Sequence, residues 1–157
     1  MEYVIGIGSN LGDKFLNIEN ALKLLSKHLK ILKTSSIYES KALLEADAPK
    51  DWNKDFFNLA ILVDFSNDPF QLFKILKSIE MEMGRGQGKP RFSPRIIDLD
   101  ILIAKNLTLQ KEELQIPHKE LLNRKFALIP ASEIAPSFIH PLTKKTLKKH
   151  CIMLDVV

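Results

Sequence analysis

The chain has 157 residues, 45% of them hydrophobic and 27% charged, which is about one domain's worth of sequence. The charges are mixed, 23 − 19 = +4 with a pI near 9.1, which disfavours intrinsic disorder and is as consistent with nucleic acid as with a site for an anionic small molecule. No apolar run approaches the ~20 residues of a membrane span, and the N-terminal MEYVIGIGSN lacks a basic leader region. The only cysteine, Cys151, excludes an internal disulfide or a multi-thiolate zinc site. These features point to a reducing compartment, with the cytoplasm as the expected location.

Residues 1–157 read as a single domain without internal repeats. Tyr3 to Gly8 predicts a buried strand ending at glycines, with Ser9, Asn10, Gly12 and Asp13 as turn and cap residues. Phe15, Ile18, Leu22, Leu25 and Leu29 then recur at helical spacing. Ile31 to Tyr38 predicts a second strand, and the polar stretch Glu39 to Lys54 a long loop. Phe57, Leu59, Ile61, Val63 and Phe65 alternate along a third strand and share one face. Asp68-Pro69 suits an N-cap and first turn. Leu72, Leu76, Ile79 and Met83 line the core face of that helix, and Gly84 ends it. The loop from Arg85 to Arg95 carries four cations and no acid, and Ile96 to Ala104 predicts a fourth strand. This β-α-β, β-α-β order fits a ferredoxin-like α/β (α+β) sandwich: two helices on one face of an antiparallel sheet, a βαββαβ core and a C-terminal extension.

Asp98 and Asp100 point the same way on a strand, roughly 7 Å apart from the ~3.3 Å rise per residue, while Ile97, Leu99 and Ile101 point to the core. Like charges so placed need compensation, and Mg²⁺ shared with substrate phosphates supplies it. The cationic loop upstream, with Arg85, Lys89, Arg91 and Arg95, suits phosphate oxygens. Gly6-Ile7-Gly8-Ser9-Asn10-Leu11-Gly12 fails the dinucleotide fingerprint and reads as a tight turn, with Asn10 capping it or lining a site. Phe56 and Asn58 face away from Phe57, offering a ring and an amide to a flat heterocycle. His118 could reach a phosphate, and Arg124 and Phe126 could present a cation and a ring to one pocket. No Ser-His-Asp or Cys-His set supports covalent catalysis. These residues alone also fit another metal-dependent phosphoryl or nucleotidyl transferase, or a non-catalytic ligand- or RNA-binding module.

Taken in order, Gly8-Ser9-Asn10-Leu11-Gly12, Ser35-Ser36-Ile37-Tyr38, Phe57-Asn58, Glu80 with Gly84-Arg85, Pro94-Arg95-x-x-Asp98-Leu99-Asp100-Ile101, Ile116-Pro117-His118, Arg124-x-Phe126 and Glu133-Ile134-Ala135-Pro136 form an ordered set. The set resembles the 6-hydroxymethyl-7,8-dihydropterin pyrophosphokinase family of folate synthesis, over about residues 2–142. The resemblance implies transfer of pyrophosphate from ATP, as co-substrate, to the pterin hydroxymethyl group, leaving AMP. It implies that Asp98 and Asp100 hold two Mg²⁺ ions and act in catalysis with Arg85 and Arg95. It assigns Phe56, Asn58 and Phe126 to the pterin, and Glu80, Arg91, Phe92, Ile101, His118 and Arg124 to ATP. The implied enzyme is a monomer with ATP and a pterin as partners and no nucleic acid or membrane. Three departures stand out. Phe92-Ser93 occupies the place of the family's Trp-Gly or Trp-Ala, Gln87 that of an arginine, and Ser40-Lys41-Ala42 that of a Thr-Pro stretch.

Overall fold

A computed structural model describes residues 1–41, 47, 55–84 and 95–154. Strand β1, Glu2–Ser9, lies in the middle of a five-stranded antiparallel sheet. It pairs with β4, Phe56–Asp64, on one side and with β5, Asp98–Ala104, on the other. Beyond β4 lie β2, Lys30–Thr34, and β3, Tyr38–Ser40, both paired to it, so the order is β2-β4-β1-β5 with β3 beside β2 on the same edge. The helices α1, Lys14–Leu25, and α2, Pro69–Glu82, complete the βαββαβ unit expected from sequence. The fold is ferredoxin-like.

Capping follows the predicted residues. The Asp13 carboxylate accepts from Leu16 N at 3.1 Å and that of Asp68 from Gln71 N at 3.0 Å. Gly84 has φ +97°, the left-handed conformation that ends α2. Ile18, Ala21 and Leu25 of α1 and Leu72, Leu76 and Ile79 of α2 are buried against Ile5, Ile7, Ile61, Leu99 and other residues on that sheet face. Phe15 departs from its predicted core position and is exposed, and Leu29 is buried beyond the helix end rather than within it.

The predicted second strand is two. Its ladder shifts register between Ile31 and Lys33. At Ser35 the backbone N donates to Ala60 O, but the answering bond from Ala60 N goes to the Ser35 hydroxyl at 2.8 Å. A side-chain oxygen has replaced the strand carbonyl, and regular pairing resumes only at Tyr38. Glu39 and Ser40 therefore belong to β3 rather than to the loop; most of that loop, like residues 85–94, lies outside the described residues.

The C-terminal part covers half of the opposite sheet face. After the short pair β6, Leu109–Gln110, and β7, Gln115–Ile116, come α3, Lys125–Ile134, and α4, Leu147–Met153. Leu128, Ala131 and Leu147 pack there on Val4, Ala60, Leu62 and Ile103. The register shift of β5 between Val4 and Ile5 lets Leu102 and Ile103 both serve this second core. The described residues leave the rest of that face uncovered.

Candidate active site

The open half of the sheet is a floor made by strand register. Gly8 lies opposite Asn58 on one side and Asp98 on the other; Gly6 lies opposite Ala60 and Asp100. One cross-strand row thus runs amide, glycine, carboxylate, and the next runs alanine, glycine, carboxylate. A Cβ on Gly8 would stand 3.3 Å from both Asn58 Oδ1 and Phe56 Cδ1, and one on Gly6 would stand 3.1 Å from Leu102 Cδ1. The absent side chains give the cavity its depth. It has a volume near 510 Å³, within the range of small-molecule sites.

At the amide end, Asn58 is buried, and its Nδ2 donates to Ser40 Oγ at 2.7 Å and to Tyr38 O at 3.4 Å. Those bonds fix which way the amide faces. Phe56 lines the cavity on the same strand, and Phe126, one residue into α3, lines it from the other layer. Phe57 turns the opposite way, with the Lys14 ammonium 4.3 Å from its ring centroid. The Phe56–Phe57 alternation is the one expected from sequence.

The other end is ionic. Asp98 and Asp100 both line the cavity, and Arg95 Nη1 lies 3.6 Å from Asp98 Oδ1. The backbone of Arg95 is pinned by buried Asn10: Arg95 N donates to Asn10 Oδ1 at 2.7 Å, and Asn10 N donates to Arg95 O at 3.1 Å. The turn after β1 therefore anchors the base of the cationic loop. Arg124 stands at the N-cap position of α3 without a side-chain capping bond, its guanidinium carbon 5.8 Å from the Phe126 ring centroid. His118 is held by its backbone N on Leu102 O at 2.8 Å, and its Nδ1 accepts from Glu120 N at 3.1 Å. Burial, reinforced by the Arg124 charge, holds its pKa below the ordinary imidazole value. The neutral ring so favoured carries its proton on Nε2, because Nδ1 is an acceptor.

The cavity thus brings together eight residues singled out in the sequence: Phe56, Asn58, Arg95, Asp98, Asp100, His118, Arg124 and Phe126. Two others lie elsewhere. Glu80 is buried on the helix side of the sheet, accepting from Leu99 N at 2.9 Å and from Lys77 Nζ at 3.0 Å. Ile101 belongs to the α1/α2 core, but it also borders a second cavity of about 220 Å³. That cavity shares Asp100, His118 and Lys119 with the first and has Phe73, Ile101 and Leu114 as apolar walls. Arg85, Arg91 and Phe92 lie outside the described residues. Sequence reading missed Lys41, Lys77 and Lys119, which also line the main cavity. Adjacency to His118 was the available signal for Lys119; the other two carried none.

The donor set discriminates among metals. Among the described residues there is no group of three or more His, Cys, Asp or Glu disposed to enclose an ion. Two carboxylates on one strand face suit instead a hard cation that completes its shell with water and substrate oxygens, which is how Mg²⁺ is commonly held.

Residues 4–136 match the family described as 7,8-dihydro-6-hydroxymethylpterin-pyrophosphokinase, HPPK. The chain belongs to this family. Among HPPK-related sequences, it is 42% identical over 139 residues to a folic acid synthesis protein of Dictyostelium discoideum, covering 87% of this chain and 20% of that one. It is 36% identical over 149 residues to the 2-amino-4-hydroxy-6-hydroxymethyldihydropteridine pyrophosphokinase of Aquifex aeolicus, covering 92% and 87%. The fold matches the crystal structure of wild-type Plasmodium falciparum HPPK-DHPS with a TM-score of 0.72 at 20% identity, over 98% of this chain and 44% of that one. The chain spans only 20% and 30% of the Dictyostelium discoideum and Chlamydia caviae relatives it matches. No described helix is long and apolar enough to cross a membrane.

Proposed function

We propose that this HPPK-family chain transfers the β,γ-pyrophosphoryl group of ATP to the hydroxymethyl oxygen of 6-hydroxymethyl-7,8-dihydropterin. One observation carries the reading: a single cavity has a ring-and-amide end and a carboxylate-and-cation end, joined by a bare glycine floor. A flat heterocycle fits the first end, stacked between Phe56 and Phe126 with Asn58 matching its polar edge. A polyphosphate fits the second. The apolar walls of the smaller cavity suit the nucleotide base, which gives Ile101 its part in ATP binding.

Two Mg²⁺ ions are expected on Asp98 and Asp100, where they would neutralise phosphate charge and polarise the transferred group. The protein's own groups do the rest. Arg95 and Arg124 offer guanidinium forks to phosphate oxygens. His118, kept neutral, offers an Nε2–H donor without adding charge. The hydroxymethyl oxygen bonds to the β-phosphorus as the bond from that phosphorus to the α,β-bridging oxygen breaks. AMP departs with the bridging oxygen, and the hydroxyl proton passes to solvent. A primary alcohol is not ionised at neutral pH, so the rate depends on alignment and on preorganised charge more than on a strong base. Arg85 is proposed to act in catalysis with Arg95, and Arg91 and Phe92 to bind ATP. Glu80 is proposed to act on ATP through strand β5, whose Leu99 amide it holds. The same reading takes residues 1–157 as a single catalytic unit, a monomer acting in the cytoplasm.

The test is to incubate the purified protein with Mg-ATP, with and without 6-hydroxymethyl-7,8-dihydropterin, and to resolve the nucleotides. AMP formed only with the pterin is the expected result. ADP, released pyrophosphate, or no product from a folded, ATP-binding protein would overturn the proposal.

A further inference from the structure

Two sequence motifs line no part of the cavity described above: Ser35–Tyr38 at the sheet edge and Glu133–Pro136 at the end of α3. The structure joins them. One carboxylate oxygen of Glu133, Oε2, accepts from Ser36 N at 2.9 Å and from Ser36 Oγ at 3.3 Å. The other, Oε1, accepts from the Tyr38 hydroxyl at 2.5 Å. The tyrosine bond is the main reason that the Glu133 carboxyl is held below the usual carboxylate range and the Tyr38 phenol above its own. Glu133 is exposed, so its charge alone contributes little. The bonds matter for what they hold in register.

On one side they hold α3. Phe126 lies seven residues, close to two turns, before Glu133 on that helix, and Arg124 stands at its N-cap position. On the other side they hold β3, a strand of only three residues. Tyr38 stands opposite Asn58 in the ladder, and the Tyr38 carbonyl and the Ser40 hydroxyl are the two acceptors that orient the Asn58 amide. Phe126 and Asn58 come from different layers of the fold. The Glu133 carboxylate is a direct strut between the helix that carries one and the strand that orients the other. Packing of α3 through Leu128 and Ala131 supplies the burial that keeps it on the sheet. Packing of that kind tolerates small sliding, whereas directional bonds do not.

We propose that Glu133 is a positioning residue for the heterocycle slot: through Ser36 and Tyr38 it sets the placement of Phe126 relative to the Asn58 amide. The proposal rests on the pterin reading given above. Glu133→Ala removes the strut, and Tyr38→Phe removes its tyrosine bond while leaving the two bonds from Ser36. Glu133→Gln keeps an acceptor for Ser36 and an amide that can bond the Tyr38 oxygen, and is the rescue variant.

The experiment titrates full-length protein with 6-hydroxymethyl-7,8-dihydropterin, and separately with a non-hydrolysable ATP analogue and Mg²⁺, while recording the melting temperature and the Asn58 side-chain amide resonances of the free protein. Tyr38→Phe should weaken pterin binding about fivefold, the net worth of roughly one hydrogen bond, and Glu133→Ala at least as much. Their double variant should be no worse than the weaker single one, as expected for two ends of one interaction. Glu133→Gln should restore most of the affinity, the ATP analogue should bind as before, and the Asn58 amide should shift in both disrupting variants. A merely structural role would lower the melting temperature and weaken both ligands together. That result, unchanged pterin affinity, or an unmoved Asn58 amide would overturn the proposal. Wild-type protein that binds no pterin, with the Asn58 amide still shifted in the variants, would remove the pterin reading and leave the strut standing.

Discussion

Replacing Glu80 with leucine should destabilise the fold by about 2 kcal/mol, through the start of strand β5. Glu80 is 2% exposed, and its carboxylate accepts from Leu99 N at 2.9 Å. Leucine leaves that amide buried without this partner, and a hydrogen bond to a charged group is worth about 1.5–3 kcal/mol. The Lys77 ammonium, 42% exposed, contributes no more than about 1 kcal/mol. Relief of carboxylate desolvation offsets part of the loss. A net cost of about 2 kcal/mol corresponds to a fall in Tm of about 4–8 °C for a chain of this size. Glu80→Gln keeps an acceptor for Leu99 N and should lose less than half as much. Urea unfolding at constant m value reads both. Leu99 sits between Asp98 and Asp100, so the leucine variant should also lose more activity than the glutamine variant. A leucine variant as stable as wild type would refute the argument. So would a glutamine variant of wild-type stability with much weaker ATP binding, which would mean that Glu80 touches the nucleotide directly.

Asp98→Ala or Asp100→Ala should reduce AMP formation to below about 1% of wild type, since positioning and charge neutralisation carry the rate. Tm should stay within a few degrees (~2–4 °C per kcal/mol), because neither side chain is part of the cores; turnover in either variant would remove the metal role. Gly8→Ala places a methyl group 3.3 Å from Asn58 Oδ1 and Phe56 Cδ1, and should weaken pterin binding by about tenfold while sparing the ATP analogue, as calorimetry would show. His140, buried beside His150, is held below the ordinary imidazole pKa chiefly by burial, and so is His118. The native state therefore prefers neutral rings. Their contribution to stability is full above about pH 6.5 and is lost as pH falls from there through the lower native values. The urea midpoint should drop between about pH 7 and 5, and less steeply in His140→Gln; a pH-independent midpoint would contradict this.

Much of the site could be read from strand period alone. A strand sends alternate side chains to opposite faces, so Asp98 and Asp100 had to share a face once Leu99 and Ile101 were core residues. Phe56 and Asn58 followed from Phe57 in the same way. The Asp68-Pro69 start and Gly84 end of α2 were equally local, because caps act on neighbouring backbone groups. Where the reading failed, a distant partner had intervened. Ser35 broke the predicted strand by accepting from Ala60 N on its hydroxyl, and Phe15 fitted the helical period but is exposed among the described residues. The burial of Glu80, on which sequence reading was silent, comes with Leu99 N as its partner.

The sequence by itself determined the elements, their inward faces and the residue types at each end of the site, since these depend on interactions within a few positions along the chain. Only the tertiary structure decided the cross-strand register that lines Asn58, Gly8 and Asp98 in one row, the anchoring of Arg95 by Asn10, 85 residues away, and the meeting of Glu133 with Ser36 and Tyr38 across 97 and 95 residues. Contacts at such separations are selected by packing two layers on one sheet, and local sequence pattern does not encode which residues that packing brings together.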